Sequence, residues 1–111
     1  MRADALKRLV DAMEALQAIE RFSGHVELDH YLNNEILQAA VERKFEILGE
    51  ALNQASGIEP DLDTLIPDLR RIISTRNRII HAYDAVDQMI LWDTIKNDLG
   101  DLRESLARII Q

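Results

Sequence analysis

Apolar residues return every three or four positions along almost the whole chain, and that spacing restricts it to packed helices. Leu6, Leu9, Val10, Met13, Leu16, Ile19 and Phe22 draw one stripe on a first helix that should end near Ser23-Gly24. Leu28, Tyr31 and Leu32 suggest a short helical turn, and Asn33-Asn34 can cap the next helix. This second long helix is expected from about Glu35 to Ala55. Leu37, Val41, Phe45, Leu48, Leu52 and Ala55 lie on one side of it, and Ile36, Ala40, Ile47 and Ala51 on another. A helix apolar on two sides is a central one, touching its own core and a second surface. Gly57 and Pro60 stop it. Pro67 suits the first turn of a third long helix, from Asp68 to about His81. Asp87 can cap the last helix, where Ile95, Leu99, Leu102, Leu106 and Ile109 repeat at four, three, four and three, and where Met89 and Trp92 sit at core spacing. Nothing alternates as a strand would. The expected fold is all-α, an up-and-down bundle of four main helices plus short helical turns, forming one domain over residues 1–111.

Composition narrows the chemistry. The 111 residues include no cysteine, which removes disulfide frameworks and thiolate metal sites. His25 and His30 have no evident third ligand and read as surface residues, so neither a metal nor a cofactor is expected. Met1-Arg2-Ala3-Asp4 leads straight into a charged amphipathic pattern rather than a signal peptide, and no apolar run reaches the roughly 18 residues of a membrane span. Cytoplasm is the expected compartment. A net charge of −7 argues against a general nucleic-acid binder. Its distribution is uneven. From Arg70 to Tyr83 there are four arginines (Arg70, Arg71, Arg76 and Arg78) and no acid, so that the rest of the chain carries −11 once those four charges are taken from the −7 total.

That segment also holds the polar residues that break an apolar stripe. Ile72, Ile73, Ile79 and Ile80 form the buried face of the third helix, and Arg76 and Asn77 fall within it, whereas Arg71, Ser74 and Arg78 decorate the wet face. A desolvated guanidinium is costly unless paired, so Arg76 implies a partner or a ligand. Glu50, one turn beyond Glu46 on the central helix, is a candidate partner. Asn77 and His81 are four apart, so the amide could orient the imidazole. Arginine, histidine and tyrosine without cysteine or clustered metal ligands suit phosphate chemistry. RNA cleavage needs a base for the 2′-hydroxyl, an acid for the leaving 5′-oxygen and a cation for the phosphorane. One histidine cannot readily be acid and base in one step; two copies across a dimer could be.

Arg76-Asn77-Arg78-Ile79-Ile80-His81-Ala82-Tyr83 resembles the R-x4-H-x-Y signature of the HepT-like toxins, a branch of the HEPN superfamily. Ile47-Leu48-Gly49-Glu50-Ala51 is similar to that family's I-G-E-A segment, and Val86-Asp87, Trp92-Asp93 and Asn97-Asp98-Leu99 to its V-D…W…D-L run. With the first helix, about 100 residues match in order and spacing. Ala82, Asp84 and Gly100 depart from a frequent glycine, aromatic and proline, and an acid at 84 would oppose RNA phosphate. The resemblance implies a metal-independent endoribonuclease toxin acting as a homodimer, and as its partner a minimal nucleotidyltransferase antitoxin that attaches AMP to the motif tyrosine. By position, Arg76 would stabilise the phosphorane, His81 would move protons and Tyr83 would be the modification site. Asn77 and Glu50 would support them, with Arg70, Arg71 and Arg78 holding RNA. Two other readings compete. A non-catalytic helical module could bind a nucleotidyltransferase and present substrate or nucleotide to it, which an intact R-x4-H disfavours. A purely structural dimer would bury an Arg76–Glu50 pair and leave no cleft.

Overall fold

Helix α1 (Ala3–Ser23) buries Leu9, Leu16 and Ile19 of its predicted stripe, together with Ala12, against the length of α3 (Glu35–Ile58), while Leu6, Val10, Met13 and Phe22 are half-buried at the margins. The computed structural model describes residues 1–82 and 85–111. The backbone N–H of Arg2 donates to Glu59 Oε1 at 2.8 Å, so the start of α1 meets the end of α3 and the two helices run antiparallel. Facing α1, α3 buries Val41, Phe45, Leu48, Leu52 and Ala55. Fully covering each Leu or Phe of these two stripes contributes on the order of 1.5–3 kcal/mol relative to exposure.

Between them lies α2 (Leu28–Leu32), after which Asn34 Oδ1 accepts the Leu37 N–H at 3.0 Å and caps α3. α3 runs past Ala55 to Ile58, and a short α4 (Leu62–Leu65) comes next. Pro67 lies before the next helix rather than in its first turn. It is the second residue of a turn closed by the Leu69 N–H to Ile66 C=O bond (3.1 Å), with Asp68 at φ −92°, ψ 7° in the third position. Proline's fixed φ suits the second position of such a turn, and wholly buried Ile66 anchors its entrance. α5 is Leu69–Ile80, and α6 (Gln88–Ile110) is capped by Asp87, whose Oδ1 accepts from Met89 and Ile90 N–H. The described residues thus form four main helices, two short ones and no strand. None of these helices is long and apolar enough to cross a membrane.

Two apolar expectations fail. Ile36 is 84% exposed, so the second stripe of α3 begins one turn later, at half-buried Ala40, and continues through half-buried Ile47 to buried Ala51. Met89 is also exposed, because it shares a face of α6 with exposed Asp93 and Lys96, whereas Leu91, Trp92, Ile95 and Leu99 point inward. Lys96 Nζ sits 4.5 Å from the Trp92 ring centroid and donates to the Ser23 carbonyl at the end of α1, tying α6 to α1.

Buried Tyr31 stacks on Trp92 (centroids 4.9 Å apart) and donates its hydroxyl to Gln88 Oε1 at 2.6 Å; Gln88 Nε2 in turn donates to Glu42 Oε2 at 2.6 Å. This chain joins α2, α3 and the first turn of α6. Burial, and secondarily the Glu42 carboxylate, pushes the Tyr31 phenol well above the ordinary tyrosine range. A pKa raised in the folded state stabilises at any pH below the unfolded value, about 10, and that stability is lost as pH climbs from there through the folded value. Tyr31→Phe should cost on the order of 1 kcal/mol at neutral pH. It should also flatten the alkaline fall in stability above about pH 10. Denaturant melts of both proteins at several alkaline pH values would show it; parallel falls would refute the assignment.

Candidate active site

α5 is short, and its inward stripe follows Leu69, Ile72, Arg76 and Ile79 at spacings of three, four and three. Arg76 is therefore aimed at the bundle, and its side chain is only 18% exposed. Asn77 is fully on the wet side, contrary to the expectation that both residues interrupt the buried face. The line Ile73, Asn77, Ile80 drifts to the margin of the helix, where Ile80 is already 39% exposed.

The guanidinium is held by its two ends. Nη2 donates to Glu50 Oε2 at 2.5 Å and Nη1 to Asn77 Oδ1 at 2.9 Å. Nε is buried and has no hydrogen-bond partner among the described residues. Gln54 Nε2 donates to the other Glu50 oxygen at 2.9 Å, which steadies a carboxylate that is 41% exposed. The Asn77 amide thus serves Arg76 and not His81. The expected Asn77–His81 pairing requires both residues to be helical, but α5 stops at Ile80 and His81 is its C-cap residue, at φ −103°, ψ 11°. His81 is exposed, with its backbone N–H on the Asn77 carbonyl. Four residues lie between it and Arg76, five helical rises or about 7.5 Å along the axis.

Gly49 entered the sequence reading only as part of the I-G-E-A-like segment, with no role assigned to it. A Cβ built on it would stand 2.3 Å from Arg76 Cβ and 2.4 Å from Cγ, so the arginine stem crosses α3 directly over this glycine. Beyond the crossing, Arg76, Glu50 and Ile80 border a groove of about 670 Å³ between α1 and α3, floored by Ala15, Ala18, Ile47 and Ala51. The Arg76–Glu50 contact of the purely structural reading is therefore present, but beside an open groove rather than in a sealed core.

The other arginines of the segment do not pool into one patch. Arg70 makes two bonds to Asp63 (2.7 and 3.0 Å), which draw that exposed carboxyl below its usual range. Arg71 pairs with buried Asp98 on α6 at 2.9 Å. Arg78 is exposed and borders a smaller cavity of about 180 Å³ between α5 and the start of α6. Tyr83 and Asp84 lie outside the described residues. His25 and His30 are exposed, and His30 Nε2 is 3.2 Å from Asn34 Nδ2. No three metal-ligating side chains come together among the described residues.

A family described as "Ribonuclease HepT-like" matches residues 12–109. A protein of Thermococcus cleftensis named "Probable ribonuclease HepT" is 34% identical over 103 residues, 91% of each chain. One from Methanocaldococcus jannaschii named "Putative RNase MJ1216" is 28% identical over 105 residues, 93% of this chain and 84% of its own. No solved structure gives a significant match. With a family match across nearly the whole helical bundle and the Arg76–His81 motif within it, this chain belongs to the HepT-like ribonuclease family.

Proposed function

We propose that this chain is a metal-independent endoribonuclease toxin that works as a homodimer, with a nucleotidyltransferase antitoxin that silences it by attaching AMP to Tyr83. The observation that carries the catalytic reading is Arg76. A charge-bearing side chain is turned inward, braced by Glu50 and Asn77, and brought to the edge of a groove, while His81, exposed and outside that groove's lining, ends the same helix. Bracing fixes the fork before substrate arrives, which is what stabilising a transient phosphorane demands.

In the reaction, one His81 takes the proton of the ribose 2′-hydroxyl, and the 2′-oxygen attacks the adjacent phosphorus. The phosphorane's charge falls on Arg76. The bond to the 5′-oxygen breaks as a second His81 supplies that oxygen with a proton. The products are a 2′,3′-cyclic phosphate and a free 5′-hydroxyl. Two imidazoles in opposite protonation states are needed in this step, hence two chains. Half-buried Ile47 in the groove and Ile80 at its edge offer apolar contacts for such pairing, amid a lining of both charge signs that includes Arg8, Asp11, Arg43 and Glu46.

Cleavage should persist in excess EDTA and leave cyclic or 3′-phosphate ends, and light scattering should give about twice the 12.7 kDa chain mass. Loss of activity in EDTA with recovery in magnesium would overturn the metal-free step. A stable monomer with full activity would overturn the two-histidine step.

A further inference from the structure

We propose that Gly49 is a positioning residue for Arg76: the missing side chain on α3 is the notch that lets the arginine stem cross and deliver its guanidinium beside Glu50. The inference rests on the ribonuclease reading for its effect on cleavage, but not for its geometry. Gly49 is buried in the middle of α3, where glycine costs helix stability relative to alanine and no turn or unusual backbone angle calls for it. What calls for it is the neighbour. The Cβ of an alanine there would lie 2.3 Å from Arg76 Cβ, 2.4 Å from Cγ and 3.2 Å from Cδ. Carbon atoms pack at about 3.5–4.0 Å. The first contact is the decisive one, since Arg76 Cβ is fixed to the backbone of α5 and no change of rotamer moves it. Relief requires α5 to retreat from α3 by more than an ångström, taking the guanidinium with it.

The same crossing explains the state of Nε. It is buried and unpartnered among the described residues, while Nη1 and Nη2 reach Asn77 and Glu50. The stem lies so close over α3 that only the far end of the guanidinium emerges to meet hydrogen-bond partners. Gly49 therefore fixes which edge of the fork is presented.

Four proteins test this: wild type, Gly49→Ala, Arg76→Gly and the double variant. In the wild-type background Gly49→Ala should lower the melting temperature by about 5 °C or more. In the Arg76→Gly background, with the stem gone, the same change should be neutral or raise it, as alanine's better helix propensity dictates. Equal losses in both backgrounds, or failure to fold in both, would overturn the proposal. Folding only without the stem would support it.

Two further readouts separate positioning from packing. In ¹⁵N-labelled wild-type protein the Arg76 Nε–H should exchange slowly, and in Gly49→Ala it should shift and exchange like that of an exposed arginine. Single-turnover cleavage by Gly49→Ala at saturating RNA should fall by roughly 10- to 100-fold, with RNA affinity little changed, as expected for an ångström-scale misplacement. An unmoved Nε–H signal with wild-type cleavage would refute the role. If wild type cleaves no RNA yet the Nε–H signal moves, the ribonuclease reading fails and the positioning of Arg76 by Gly49 stands.

Discussion

Arg76→Ala and His81→Ala are each expected to lower RNA cleavage by about 10²- to 10⁴-fold, the usual loss when a transition-state cation or a proton shuttle is removed. Neither change should unfold the protein. His81 is exposed just beyond the end of α5, so truncating it leaves no cavity. Removing the Arg76 guanidinium leaves Glu50 without its cation, but that carboxylate is 41% exposed and keeps its bond from Gln54, so it is not stranded in an apolar core. Solvent screening holds the cost of losing the ion pair to about 1 kcal/mol, and losing the stem packed over Gly49 adds a further packing cost. Arg76→Lys is the sharper control. Lysine keeps the charge but not the planar fork that reaches Glu50 and Asn77 together, so it should recover only part of the rate. Melting curves and single-turnover rates on one RNA check all three variants. Full activity in either alanine variant would remove that residue from the chemistry.

Silencing by AMP should be as complete as losing the arginine. Tyr83 comes two residues after His81 and falls in the segment between α5 and the Asp87 cap of α6. An AMP group there would place a bulky phosphodiester, with its negative charge, close to the imidazole and within reach of cations that must hold RNA. It would repel the substrate backbone and compete for arginine, by the same electrostatics as phosphorylation. Co-expression with a cognate nucleotidyltransferase should raise the mass by one or more AMP units and abolish cleavage. Tyr83→Phe should stay active and escape modification. Continued modification of Tyr83→Phe, or undiminished cleavage by the AMP-bearing protein, would defeat the assignment.

How legible each feature was in the sequence depends on how far apart the interacting residues are. The caps at Asn34 and Asp87 were legible because each joins a side chain to a backbone amide two or three residues on. The stripes of α1 and α6 were legible because burial of one helix face imposes its own period. The Asn77–His81 pairing was misread because it assumed that the helix continues through His81, one residue beyond where α5 ends. Nothing local showed that Arg71 would find Asp98, 27 residues on, or that the Gly49 backbone would receive the stem of Arg76, for both depend on how closely α5 approaches its neighbours. The cluster of arginines misled in a related way. Four like charges in sequence suggested a patch, but a helix distributes them around its circumference, and acids from elsewhere meet three of them.

Those internal pairs bear on how such a protein would find RNA in a cell crowded with polyanions. Arg70 and Arg71 are already answered by Asp63 and Asp98, and the chain as a whole carries −7. Long-range attraction, which speeds encounter and holds many DNA- and RNA-binding proteins loosely on any strand, is correspondingly weak here. Wrong strands are met slowly and released quickly. On the proposed reading, selectivity would fall to the short-range fit of a phosphate against Arg76, and a protein arranged this way would stay idle among bulk RNA until a strand of the right shape met that fork.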